Sequence, residues 1–438
     1  MIGKSIQTPI RTLACTITLA TICNCGGSNS NGFNDYDAGG DGNASPNSDA
    51  PDDSQPTTNT DASQDHQEPF EGEPYVFREI SLGNGHTVAR TSDGTVMRWG
   101  TQYLYEYPDE HASHLNEVVS SSIPMPVIGL SSGTIAISAG GSHACAIEAN
   151  GRVLCWGRNE SAQLGDGLRN DSSIPHQVVG LDSGFVALSS AFNQTCALSE
   201  GGDVWCWGFN LSIQFRNPAH AYQRIPIQVH NFGPNVRALA SGFDRTCAIT
   251  SNGAAMCGGS NKNGELGDGT TERRSEPVTV LGLEAGVKAI CAGFYHSCAI
   301  TSEDGVVCWG STNAATALYG SGLPSWQPTP MPAEGLETGV NAISCGSFHT
   351  CAITANGEAH CWGANGGLLG DGTTTNRAIP TKVVGLNSPV RAIAAGPGVT
   401  CAITEQDETY CWGANSGGQL GDATVTTRLT PTKVYGTP

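Results

Sequence analysis

The reactive chemistry of this 438-residue chain is concentrated in cysteine. Cys351 and Cys361 lie ten residues apart in "HTCAITANGEAHCWG", and the same spacing recurs at Cys145 and Cys155, Cys196 and Cys206, Cys247 and Cys257, Cys298 and Cys308, and Cys401 and Cys411. Thiols so placed could form disulfides, ligate a metal with help from a residue such as His349, or lie buried as small reduced apolar groups. Ten residues across a rigid hairpin is not a usual zinc spacing, which disfavours a ligand set. The choice depends on the elements that carry the thiols.

Those elements read as strands. "HTCAIT" and "EAHCW" are rich in β-formers, and Asn356-Gly357 between them is a strong hairpin signal. A three-residue loop, Ala355 to Gly357, puts Gly357 in the left-handed position and Cys351 opposite Cys361 at a non-hydrogen-bonded site, where side chains approach most closely. A cross-strand disulfide is the expected product. A seventh copy, "HTVARTSDGTVMRWG", has Val88 and Arg98 in place of the thiols. The anchors 88, 145, 196, 247, 298, 351 and 401 step by 57, 51, 51, 51, 53 and 50, the signature of a repeat architecture.

Each unit contains an apolar segment such as "VRAIAAG" (390–396), the two hairpin strands, a polar loop often reading "QLGDG", and a proline-led strand such as "PTKVVGL" (380–386). Short strands bounded by Gly, Asn and Pro, without helical periodicity, make the chain all-β. Four antiparallel strands repeated seven times predict a seven-bladed β-propeller over residues 75–438. Two further cysteines, Cys291 and Cys345, precede the hairpin cysteines of adjacent units by seven and six residues. Adjacent registers point to opposite faces of a blade, so these two are expected to meet across the boundary between the fifth and sixth blades.

The run "HACAIEANGRVLCWG", with His143, Trp156 and Gly157, continues to Leu164, Gly165 and Asp166, and it resembles the repeat of the regulator of chromosome condensation family. The resemblance covers nearly all of the chain after residue 75 and implies a seven-bladed propeller. Gly258 stands where the other hairpins have tryptophan, and "LGDG" is missing from the first, third and fifth repeats. The propeller-type β-lactamase inhibitor protein is similar and works by protein binding, which suggests a protein partner here. The family's guanine nucleotide exchange activity on the GTPase Ran is a further implication, one that an exported chain would not meet.

Composition points to export. Residues 1–25 carry Lys4 and Arg11 ahead of "TLACTITLATIC", the layout of a secretory signal and too short to span a bilayer. The stretch resembles a bacterial lipoprotein signal, with Cys25 and Cys23 as lipidation candidates. A lipid on either would hold the protein at a membrane surface of the cell envelope, while a plain cleaved signal would release it. Residues 26–74 contain eleven acidic residues and no Lys or Arg, so they read as a disordered tether with a reach of roughly 35–40 Å. The remainder holds 29 acidic against 19 basic residues and no basic stripe, which disfavours nucleic acid. An oxidising compartment would let the cysteine pairs persist as disulfides.

No nucleophile motif, paired-carboxylate signature or phosphate loop stands out, so neither catalytic residues nor cofactors are expected. His86, His143, His296 and His349 share one repeat position and are expected to bond structurally, for example to a loop carbonyl. Asp166, Asp268, Asp371 and Asp422 are expected to stabilise turns, since a calcium loop supplies several oxygens in alternation. Function is expected where the repeat breaks its pattern. Three loops qualify: 101–119 with Tyr103, Tyr105 and Tyr107; 209–224 with Phe215, Arg216 and Tyr222; and 311–328 with Tyr319 and Trp326. Exposed aromatics with an arginine suit a monomeric module that anchors a protein partner, or alternatively a cell-surface glycan.

Overall fold

The computed structural model describes residues 72–109, 112–209, 221–233, 235–311 and 326–438, without the side chains of 105–109 and 112–117. Cys23, Cys25, Phe215, Arg216 and Tyr319, and the side chains of Tyr105 and Tyr107, lie outside the described residues.

Seven sheets, each of four consecutive antiparallel strands, make up the described residues from Phe77 onward. In the sixth blade these are Val340–Cys345, His349–Thr354, Ala359–Gly363 and Arg377–Lys382. The hairpin forms as its turn residues dictate. Gly357 has φ +79°, its N–H donates to the Thr354 carbonyl at 2.8 Å, and Cys351 pairs in register with Cys361. The fourth strand starts earlier than the proline-led reading of 380–386, because "VVGL" turns back: the Val383 N–H donates to Ala359 and Gly385 has φ +81°.

Every third strand slips register at its "CWG" segment. The slip turns the tryptophan into the space between blades, and the glycine after it is needed for two reasons. Gly310 has φ +103°, and a Cβ there would lie 2.4 Å from the Tyr295 carbonyl oxygen. Trp99, Trp156, Trp207, Trp309, Trp362 and Trp412 are fully buried against neighbouring blades. Four of their indoles donate to the preceding blade's loop: Trp99 to the Gln419 carbonyl, Trp207 to Gln163, Trp309 to Glu265 and Trp412 to Leu368, at 2.8–2.9 Å. Gly258 follows the third blade, whose loop lacks "LGDG", so the two departures from the repeat fall at one boundary.

The innermost strands are linked around the ring by serine. Ser81 Oγ accepts the Ala139 N–H, Ser138 that of Ser190, Ser189 that of Ser241, and Ser344 that of Ala395, at 2.8–2.9 Å. Cys291 occupies this serine position and Cys345 the acceptor-facing position of the next blade. The structure joins them by a disulfide between blades five and six. The six hairpin pairs are joined as well, with Cα–Cα distances of 4.0–4.1 Å.

No strand is exchanged between the ends of the chain, because the first and last blades are each built of consecutive strands. The seam closes by side chains and by backbone bonds, among them the Ala423 N–H to the Ser122 carbonyl at 2.9 Å. The Tyr75 N–H donates to the Gly436 carbonyl at 2.7 Å, Thr87 Oγ1 and Trp99 Nε1 both reach Gln419, and Arg391 donates to the Phe77 carbonyl at 2.7 Å. Arg78 and Arg391 both pair with Asp407.

Candidate functional site

Up-and-down blades place two kinds of loop on each face. The turns joining first to second strands and the loops joining third to fourth strands share one face, which backbone hydrogen bonds knit together. Thr101 N–H donates to Gly85, Phe209 to Asn193, Ser260 to Asp244 and Ser311 to Tyr295, at 2.7–2.8 Å. Tyr75, where the chain enters the ring, precedes a first strand and lies on the opposite face.

Where a "LGDG" loop is present it is closed on itself. Asp268 accepts hydrogen bonds from Asn261 Nδ2, from the Thr270 N–H and hydroxyl, and from Arg274 Nε. Asp371 with Asn365, Thr373 and Arg377, and Asp422 with Asn415, Thr424 and Arg428, repeat the arrangement. Burial alone would raise these carboxyls, but the donated hydrogen bonds outweigh it and hold all three below the usual carboxylate range. Asp166 accepts from Asn159 and the Leu168 N–H. These residues serve turns.

The pattern-breaking segments differ from one another. Residues 101–119, expected as a loop, instead prolong the third and fourth strands of the first blade into a hairpin, Val96–Asp109 with Ala112–Pro126. Alternating β-formers such as Tyr103 and Val118, which pair in register and are both exposed, continue the ladder beyond the blade. The Tyr222 ring lies tilted against Phe209 with centroids 5.8 Å apart, and the Arg169 guanidinium of the preceding blade lies 4.8 Å above its ring. Trp326 is exposed and pairs with Ser311, whose N–H reaches the Tyr295 carbonyl. Tyr103, Tyr222 and Trp326 therefore lie on one face, on three separate blades.

Between them, around the axis, is a cluster that the sequence reading missed. Phe192, Phe243 and Phe294 occupy one turn position in blades three to five, and Phe348 sits one residue later in blade six. Their rings form a row: Phe192 to Phe243 at 5.4 Å, Phe243 to Phe294 at 4.2 Å, and Phe294 to Phe348 at 5.5 Å. Tyr295 stands edge-on to Phe294 at 4.7 Å. Below the row Arg245 is fully buried, with its guanidinium donating to Ser297 Oγ and to the carbonyls of Gly293, Phe294 and His296.

Three of the four repeated histidines bridge blades through side chains rather than loop carbonyls. Nε2 of His143, His296 and His349 meets the hydroxyl of Thr195, Thr350 and Thr400 at 2.7–2.9 Å. For His86 the equivalent residue of the next blade is Ala144, which has no hydroxyl to offer. Burial pushes all four rings down, His86 and His349 to about 4 and His143 and His296 to about 3. The unfolded chain titrates them near 6.5, so it binds more protons than the fold below that pH. Stability is expected to be full above pH 6.5 and to fall towards pH 4, by up to about 1.4 kcal/mol per pH unit per histidine. Urea titrations between pH 7.5 and 4.5 measure the slope. His143→Gln, which copies the natural Gln194 of the next blade, should reduce it by about one proton; an unchanged slope would refute the assignment.

The chain matches the RCC1-like domain over residues 110–437. It belongs to the RCC1-like domain family. Within that family it is 30% identical to the ultraviolet-B receptor UVR8 of Arabidopsis thaliana over 65% of this chain and 64% of the relative. It is 29% identical to the secretion-regulating guanine nucleotide exchange factor of Mus musculus over 49% of this chain and 48% of the relative. The chain thus spans between about half and two thirds of these two curated relatives. Among solved structures, Prp20p of Saccharomyces cerevisiae superposes with a TM-score of 0.64 at 21% identity, over 72% of this chain and 80% of that one. The likeness is one of fold, and it agrees with the seven-bladed propeller expected from the repeat. RCC1-like propellers are protein-interaction and regulatory modules; the study of Prp20p concerns binding to Gsp1p and histones. In this RCC1-like propeller the signal for the missed cluster was present: a phenylalanine two residues before Gln194, Arg245 and His296, and one residue before His349.

Proposed function

We propose that this RCC1-like propeller is a non-enzymatic interaction module, exported and held at a membrane surface by a lipid on Cys23 or Cys25. Residues 1–25 act as the signal and 26–74 as the tether. One observation carries the reading: the exposed Tyr103, Tyr222 and Trp326 share with the aromatic row the face opposite Tyr75, where the chain enters the ring. Entry of the chain at Tyr75 on the opposite face leaves this face open to a partner. Exposed aromatics are the residue types that anchor protein interfaces, and a site grafted on a fold is sought where the fold's own pattern lapses. Seven disulfides suit an oxidising compartment. Nucleotide exchange, the activity named for one relative, is not carried over, because an exported chain would not meet a cytosolic GTPase.

The test is cross-linking capture with the full chain, tagged after Pro438 so that the loop face stays clear. Bait is incubated with native envelope and culture fluid, and cross-links are read by mass spectrometry. One stoichiometric protein, resistant to soluble oligosaccharides and cross-linked near Tyr103, Tyr222 or Trp326, is the expected result. Material displaced by sugars would move the reading to glycan binding, and no specific capture would end it.

A further inference from the structure

Asp244, half-buried, follows Phe243 of the aromatic row and holds the turn position that Tyr295 holds in the next blade. Among the described residues no hydrogen bond or ion pair closes on its carboxylate. The charged groups around it are otherwise occupied or peripheral. Arg245 is spent on four acceptors below the row, and Glu265 accepts from the Asn263 N–H and Nδ2. Lys262 and Arg273 are exposed at the rim. Tyr295, 37% exposed, lies beside the carboxylate's field and edges the row.

We propose, building on the protein-partner reading, that Asp244 and Tyr295, at the edge of this row, form a docking site for a basic side chain, preferentially arginine, supplied by the partner. A carboxylate withdrawn from water without a partner is costly, and a cation brought to it removes that cost. The rings of the row cover one another's faces, but Tyr295 at its edge is exposed; an aromatic face attracts the same charge, and a planar guanidinium can stack on it while pairing with a carboxylate. Neutral donors would satisfy the oxygens but gain nothing from the rings. The excess of acidic over basic residues in the propeller favours a basic partner in the same sense. Burial raises Asp244 to about 6, with Arg245 opposing, Glu265 reinforcing, and Lys262 and Arg273 opposing. The carboxylate is therefore mostly charged at pH 7.5 and mostly neutral at pH 5.

The probe is a heptapeptide of alternating glycine and arginine, compared with its citrulline analogue, which keeps the shape and removes the charge. Calorimetric titration of the oxidised full chain at pH 7.5 should show the arginine peptide binding at least tenfold tighter. Asp244→Asn, nearly isosteric and checked for folding by near-ultraviolet circular dichroism, should abolish that preference. Arg273→Gln should preserve or strengthen it. Equal binding of the two peptides, or an undiminished preference in Asp244→Asn, would overturn the proposal. A partner captured by cross-linking that binds Asp244→Asn as well as the parent would sink this site while leaving the interaction-module reading intact. An arginine preference without any captured partner would do the reverse.

Discussion

Replacing Cys291 and Cys345 together by alanine is expected to lower the unfolding free energy by about 4 kcal/mol, the value the chain-entropy model assigns to a closed loop of their length. The pair is 54 residues apart in sequence, against ten for each hairpin disulfide, where the same model assigns about 3 kcal/mol. Removing both thiols avoids leaving a reactive partner behind, and alanine is found naturally at the first position in Ala240 and Ala394. Geometry supports the ranking as well. The hairpin bonds join residues that the ladder already pairs, whereas Cys291–Cys345 joins two blades at a point where other boundaries use a serine hydroxyl. Equilibrium urea unfolding under non-reducing conditions, set against the Cys351→Ala/Cys361→Ala variant, tests this. A smaller loss for the inter-blade pair than for the hairpin pair would contradict it.

Trp99→Ala should cost about 3–5 kcal/mol, the usual range for removing a large buried aromatic. Its special feature is location. Trp99 and Thr87 both reach the Gln419 carbonyl, so the substitution strikes the boundary at which the first and last blades meet without a shared strand. Amide exchange of Tyr75, whose N–H donates to Gly436, should accelerate at least tenfold beyond what the global loss produces. Trp309→Ala offers the control. It removes an equivalent indole bond, to Glu265, at a boundary inside the chain, and should destabilise comparably without singling out Tyr75. The ion pairs of Arg78 and Arg391 with Asp407 are partly exposed and cannot hold the seam alone. Equal protection of Tyr75 in both variants would show that the seam does not depend on Trp99.

How far the chain can be read differs from feature to feature, for physical reasons. The hairpins are legible because turn residues and thiols act within fifteen residues, and the seven-fold count because each blade repeats those local signals. Cys291 with Cys345 is legible from register parity, since strand side chains alternate faces. The "LGDG" aspartates read correctly as turn residues because their partners lie within a few positions. The histidines read as structural, but not with the right bonding partner, because the hydroxyl they meet is some fifty residues away on the next blade. The segment 101–119 reads as a loop because its register slips interrupt strict alternation, although its two arms still pair.

The blades follow from local sequence, since hairpin turns, β-branched runs and cysteine spacing are properties that any placement of the units would preserve. The closure of the ring depends on packing between distant segments, with Tyr75 meeting Gly436 and Trp99 meeting Gln419. Such packing alone brought Phe192, Phe243, Phe294 and Phe348 into one row. Each of those residues sits singly in its own turn, and they become neighbours because radial packing carries successive inner turns past the same axis.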